Sequence, residues 1–154
     1  MMVEKKVYKL DSAIQVLAIM SEGCNFAPIY GVELININDI SNKKNLEKGL
    51  KEQWGDSELS GLEKVEHWDE KLRELFDTWV FQKLHEGLLK NRESMDGLLF
   101  NQIIDYFKEL MREEAGPLDA WHAKVSGGVW EYDAEILLIK ENSLIYYFYF
   151  QFSD

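Results

Sequence analysis

The chain carries a single cysteine, Cys24, so no disulfide can close within it, and a lone thiol suits a reducing compartment. A cytoplasmic location is the expectation, with Cys24 as a structural thiol. Histidine is scarce too: His67, His85 and His122 are scattered, and neither an HExxH nor a CxxC spacing occurs. No metal and no cofactor are expected. Long apolar runs are missing. The stretch Leu144 to Phe150 has seven residues, where a membrane-crossing helix needs roughly 20. Near the start, Lys9, Asp11, Ser12 and Gln15 interrupt any signal-like apolar segment. Neither a membrane nor a secretory route is expected. Positive charge is the remaining shortage, with 17 Lys and Arg against 28 Asp and Glu, a net charge of −11. Nucleic-acid binding draws its affinity from cations that neutralise phosphates, so it is not expected, and a basic protein partner is favoured.

What is present suits one globular unit. A chain of 154 residues that is 46% apolar and 29% charged can bury a core of its own. The patterning predicts a single α+β domain over 1–154: N-terminal and central helices packed on a small antiparallel sheet that ends in a C-terminal β-hairpin. Asp11 or Ser12 caps a helix over 12–22, with Ile14, Leu17 and Ala18 at helical spacing and Gly23 at its end. Ile29 to Ile37 is β-branched and reads as a strand. Leu46, Leu50 and Trp54 recur every four residues up to Gly55, which gives a short helix. From Ser57 or Ser60 to about Asn91, Val65, Trp68, Leu72, Leu75 and Trp79 step by three and four, so a long amphipathic helix is expected, bent near Gly87. On that helix Glu63 and His67 form a surface pair. Another helix runs from Ser94 to the Gly116-Pro117 stop. Gly127-Gly128 is a turn, residues 119–126 add a strand, and 129–139 and 144–152 form the hairpin. Trp54, Trp68 and Trp79 are core residues by spacing, while Trp121 and Trp130 are open to either role.

The hairpin register decides where the candidate site falls. A three-residue loop at 141–143 would set Leu138, Ile136, Ala134 and Tyr132 opposite Tyr146, Phe148, Phe150 and Phe152. A two-residue loop would put Glu135 and Asp133 against phenylalanines, at a cost of several kcal/mol if those carboxylates are desolvated. The three-residue register is therefore expected. It gathers Glu131, Asp133 and Glu135 on one face with Tyr147, Tyr149 and Gln151, beside Trp130. Two charges about 7 Å apart repel by about 0.6 kcal/mol in water and about 2.4 kcal/mol at an effective dielectric of 20, which a basic partner would relieve. The expected binding residues are thus Glu131, Asp133, Glu135, Tyr147, Tyr149 and Trp130, with no catalytic residue among them. An inhibitor or immunity-type protein that masks a basic active site is the concrete form of this expectation. Two alternatives accompany it: a small hydrolase using paired carboxylates, one of them raised in pKa, and a homo-oligomeric adaptor joined through Trp68, Leu72, Leu75 and Trp79.

Overall fold

The computed structural model describes residues 2–21, 27–37, 42–81, 102, 105–109, 118–141 and 144–153. Cys24, His85, Gly87 and most of the helix expected from Ser94 to Gly116 lie outside them. The elements follow one another as helix α1 (Met2–Ser21), strand β1 (Ala27–Ile35), helix α2 (Lys43–Trp54), strand β2 (Glu58–Val65) and helix α3 (Trp68–Phe76). A π-helical turn (Asp77–Phe81) continues α3, and strands β3 (Asp119–Gly127), β4 (Trp130–Glu141) and β5 (Leu144–Ser153) complete the order. The strands form one sheet in the order β1-β5-β4-β3-β2, antiparallel at every pairing. This is an α+β fold, and β1 pairs with the C-terminal hairpin. No helix among the described residues is long and apolar enough to cross a membrane.

Alternation along the strands gives the sheet two apolar faces, and each is covered. On the first face Tyr30, Val32, Leu137, Ile139, Tyr146, Phe148 and Phe150 meet α1, α3 and Phe107 of the helical residues 105–109. On the second face Trp121, Ala123, Val125, Ile136, Leu138, Ile145 and Tyr147 meet Leu46, Leu50 and Trp54 of α2. Trp121 and Trp130 both belong to this second core.

Helix α1 starts ten residues earlier than the spacing suggested, because Val7 and Leu10 extend the buried stripe of Ile14, Leu17 and Ala18 backwards. Asp11 is not its cap. Its carboxylate accepts the Val32 N–H of β1 at 2.9 Å, and Gln15 donates to the Tyr30 carbonyl at 2.7 Å. These side chains satisfy main-chain groups of an edge strand that would otherwise invite another strand. Helix α2 matches its sequence: the Asn42 side chain accepts the Asn45 N–H, Leu46, Leu50 and Trp54 are buried, and Gly55 follows with φ 61°.

The long helix from residue 57 or 60 is a correction. Glu58–Val65 is strand β2, paired with β3 and bulged between Ser60 and Glu63, with Gly61 at φ 63°. Val65 and Trp68 both pack against the first core, so their three-residue spacing runs across a strand-to-helix junction and imitates a helical stripe. Glu63 and His67 therefore do not share a helix. The remaining stripe is used inside the chain: Leu72 and Leu75 are buried, and Trp68 and Trp79 pack on the same core.

Candidate functional site

The hairpin adopts the two-residue register, not the three-residue one that its sequence favours. Glu141 pairs with Leu144, Leu138 with Tyr147, Leu137 with Phe148 and Glu135 with Phe150, leaving two residues between the strands. The supposed cost of Glu135 beside Phe150 is met by neighbours outside the hairpin. His122 Nε2 lies 2.7 Å from one carboxylate oxygen of Glu135, and the Trp79 indole N–H donates to the other at 3.2 Å. As a result the six expected site residues divide between the two faces of the sheet. Glu131, Asp133 and Glu135 alternate onto the first face, while Trp130, Tyr147 and Tyr149 point to the second.

The aromatic half is largely interior. Trp54 meets Trp130 and Tyr147 edge-on at 5.1 Å and 5.4 Å between ring centres, and Tyr149 lies 5.9 Å from Trp130. Trp130 and Tyr147 are buried and Tyr149 is half-buried. The Tyr147 hydroxyl donates to Glu33 at 2.8 Å, and burial, reinforced by Glu33, raises its pKa. Burial also pushes the Tyr149 hydroxyl up to about 12, with Glu33 and Asp11 adding to the effect. Both phenols are neutral at physiological pH.

The acidic half gains members that the sequence did not bring together. Directly opposed residues of antiparallel strands share a face. Glu63 faces His122, Ser60 faces Lys124, Glu58 faces Ser126, and Lys124 faces Glu135. The first face of the sheet therefore ends in a polar corner. Glu58 and Glu63 come from β2 and Glu131 and Asp133 from β4, all exposed, with Lys124 exposed on β3 between them. Glu58 and Glu63 escaped notice because their strand reads locally as helix, and no sequence signal tied His122 or Trp79 to Glu135.

At the inner border of this corner, His122 is buried and the Glu135 side chain is 19% exposed. The hydrogen bond from His122 lowers the Glu135 pKa below 4.5; Trp79 adds to this, and partial burial opposes it. A carboxyl held ionised in this way is the opposite of the raised general acid that paired-carboxylate hydrolysis requires. The second ring nitrogen of His122, Nδ1, is buried without a partner among the described residues. No group of three or more His, Cys, Asp or Glu among the described residues is placed to hold a metal ion.

No family model, curated protein or solved structure matches this chain.

The Glu135 contacts give a pH prediction. A carboxylate with a folded pKa below its unfolded value of 4.5 stabilises the fold fully above 4.5, and loses that contribution as pH falls through the folded value. Glu135→Gln is expected to be about 1 kcal/mol less stable than the wild type at pH 7, with the gap closing in more acidic solution. Urea unfolding of both proteins from pH 7 down to about 3 checks this, and a gap of constant size would show that the charge of Glu135 contributes nothing.

Proposed function

We propose that this protein is a non-enzymatic binding module that holds a basic protein partner against the acidic corner formed by β2, β3 and β4. The observation that carries the reading is the convergence of four exposed carboxylates, Glu58, Glu63, Glu131 and Asp133, from two strands onto one face around the exposed cation Lys124. Same-face neighbours along a strand lie about 6.6–6.8 Å apart, so the carboxylates repel one another, and lysines or arginines from a partner relieve that repulsion. The net charge of −11 adds a long-range attraction that speeds encounter with a basic protein. An inhibitor or immunity-type role in the cytoplasm, masking the phosphate-binding cations of a nuclease-like active site, is the form that best fits this chemistry.

Affinity capture from native lysate at low salt tests the reading, with the wild type set against a Glu58→Lys, Glu63→Lys, Glu131→Lys, Asp133→Lys variant. A basic protein should be retained by the wild type and lost by the variant. Its association rate should fall about tenfold or more as salt rises from low to several hundred millimolar. A partner retained equally by both proteins would reduce the corner to a solvated sheet end.

A further inference from the structure

The acidic corner lies toward the β2 side of the sheet; the opposite edge, β1, carries a second and independent feature. Among the described residues strand β1 pairs with β5 on one side only. Main-chain groups of successive strand residues point alternately to the two sides, so Tyr30, Val32 and Leu34 all present theirs to the open edge. Helix α1 already occupies the first two positions, through Gln15 on the Tyr30 carbonyl and Asp11 on the Val32 N–H. At Leu34 the imitation of a neighbouring strand stops: no such side chain reaches its main chain among the described residues, and Leu34 is 42% exposed. Beside it runs a groove of about 490 Å³ lined by Glu4, Val7, Tyr8, Asp11, Val32, Glu33 and Leu34.

We propose that this groove is a docking site for an extended, lysine- or arginine-bearing segment of a partner protein, which adds alongside β1 at Leu34. The charge of the lining selects the occupant: among the described residues it includes Glu4, Asp11 and Glu33 and no lysine or arginine. Asp11 and Glu33 are held in place before any ligand arrives, on opposite faces of β1: Asp11 through one oxygen on the Val32 N–H and Glu33 through one oxygen on the Tyr147 hydroxyl. Pre-organised acceptors of this kind reduce the ordering cost of binding. Val7, Val32 and Leu34 supply apolar floor for alternate side chains, and Tyr8, 78% exposed, offers a ring face to a guanidinium or ammonium group. An open strand edge supplies main-chain hydrogen bonds, and its neighbouring pockets supply specificity, which is the logic of strand addition.

The test uses the full chain and a fluorescein-labelled octapeptide of alternating lysine and valine. Two controls accompany it: a glutamate–valine octapeptide, and the lysine–valine peptide N-methylated throughout, which keeps its charge but cannot pair as a strand. Wild-type protein should bind the first peptide about tenfold more tightly than either control. Binding should slow hydrogen exchange at the Leu34 amide, and Glu33→Gln, which leaves Tyr147 an acceptor, should weaken it about fivefold. Equal binding of the N-methylated peptide, or unchanged exchange at Leu34, would overturn strand addition. Loss of peptide binding in a Glu131→Lys, Asp133→Lys variant with Glu33→Gln unaffected would place the peptide on the acidic corner instead and overturn the groove as its site.

Discussion

Replacing Lys6 by methionine is expected to destabilise the protein by about 3–5 kcal/mol. Lys6 sits in the buried stripe of α1, and its ammonium group pairs with Glu141 at the end of β4, with side-chain exposures of 1% and 5%. The other oxygen of Glu141 accepts the Tyr146 hydroxyl at 3.0 Å. Burial raises the Tyr146 pKa and Glu141 raises it further, so this hydroxyl stays protonated and donates. Removing the cation leaves a carboxylate in the core with one neutral donor, and an unpaired buried charge costs far more than a paired one returns. The same argument predicts a rescue. In a Lys6→Met, Glu141→Leu, Tyr146→Phe triple variant, the ion pair and the hydroxyl that supports Glu141 go together, and most of the lost stability should return. Urea unfolding at neutral pH separates the cases: equal losses in the single and triple variants would mean that Lys6 matters for its packing and not for its charge.

This ion pair shows where local sequence reading stops. Lys6 and Glu141 are 135 residues apart, and nothing near either of them announces the other. Helix α2 was legible because its signals lie within one segment: the four-residue spacing of Leu46, Leu50 and Trp54, and Gly55 beyond them. The β4–β5 hairpin was legible in its existence for the same reason. Its register was not, because the choice depended on whether Glu135 would find partners, and those partners arrive from β3 (His122) and from the turn after α3 (Trp79). Strand β2 failed more completely. Glu58, Glu63 and Lys64 suit a helix surface, and only pairing with β3 makes the segment a strand, a contribution that local propensity does not contain. The candidate site inherits this division. Glu131 and Asp133 were visible on a strand that was recognised, Glu58 and Glu63 were hidden on one that was not, and the tyrosines were assigned to the wrong face by a one-residue slip in register.

The contact that keeps β2 and β4 in line is itself vulnerable at one position. Gly128, in the turn between β3 and β4, has φ 59°, and a Cβ built there would lie 2.5 Å from Ser57 Oγ, 2.6 Å from Ser57 N and 2.8 Å from the Trp54 carbonyl oxygen. The last two are main-chain atoms, which cannot rotate away. Ser57 is fixed as well: it is buried, and its hydroxyl lies 2.7 Å from the Trp54 carbonyl and 3.0 Å from that of Gly127. Gly128→Ala should therefore cost the left-handed backbone penalty of about 1–2 kcal/mol together with about 1–3 kcal/mol of overpacking strain. Gly61 provides the control, because its φ is 63° and a methyl group added there would meet nothing within 4 Å. Gly61→Ala should show the backbone penalty alone, so that the difference between the two variants in thermal or urea unfolding isolates the clash. The clash also has a functional consequence. Ser57 directly precedes Glu58, and Gly128 lies three residues before Glu131, so the strain is relieved by moving the hairpin turn away from β2 and separating the two pairs of carboxylates. Gly128→Ala should then weaken capture of the basic partner at a temperature where the variant remains folded, while Gly61→Ala, if its bulge stays in place, separates lost stability from lost alignment. Equal stability losses in the two alanine variants would show that the turn yields freely and that Ser57 does not hold the corner together.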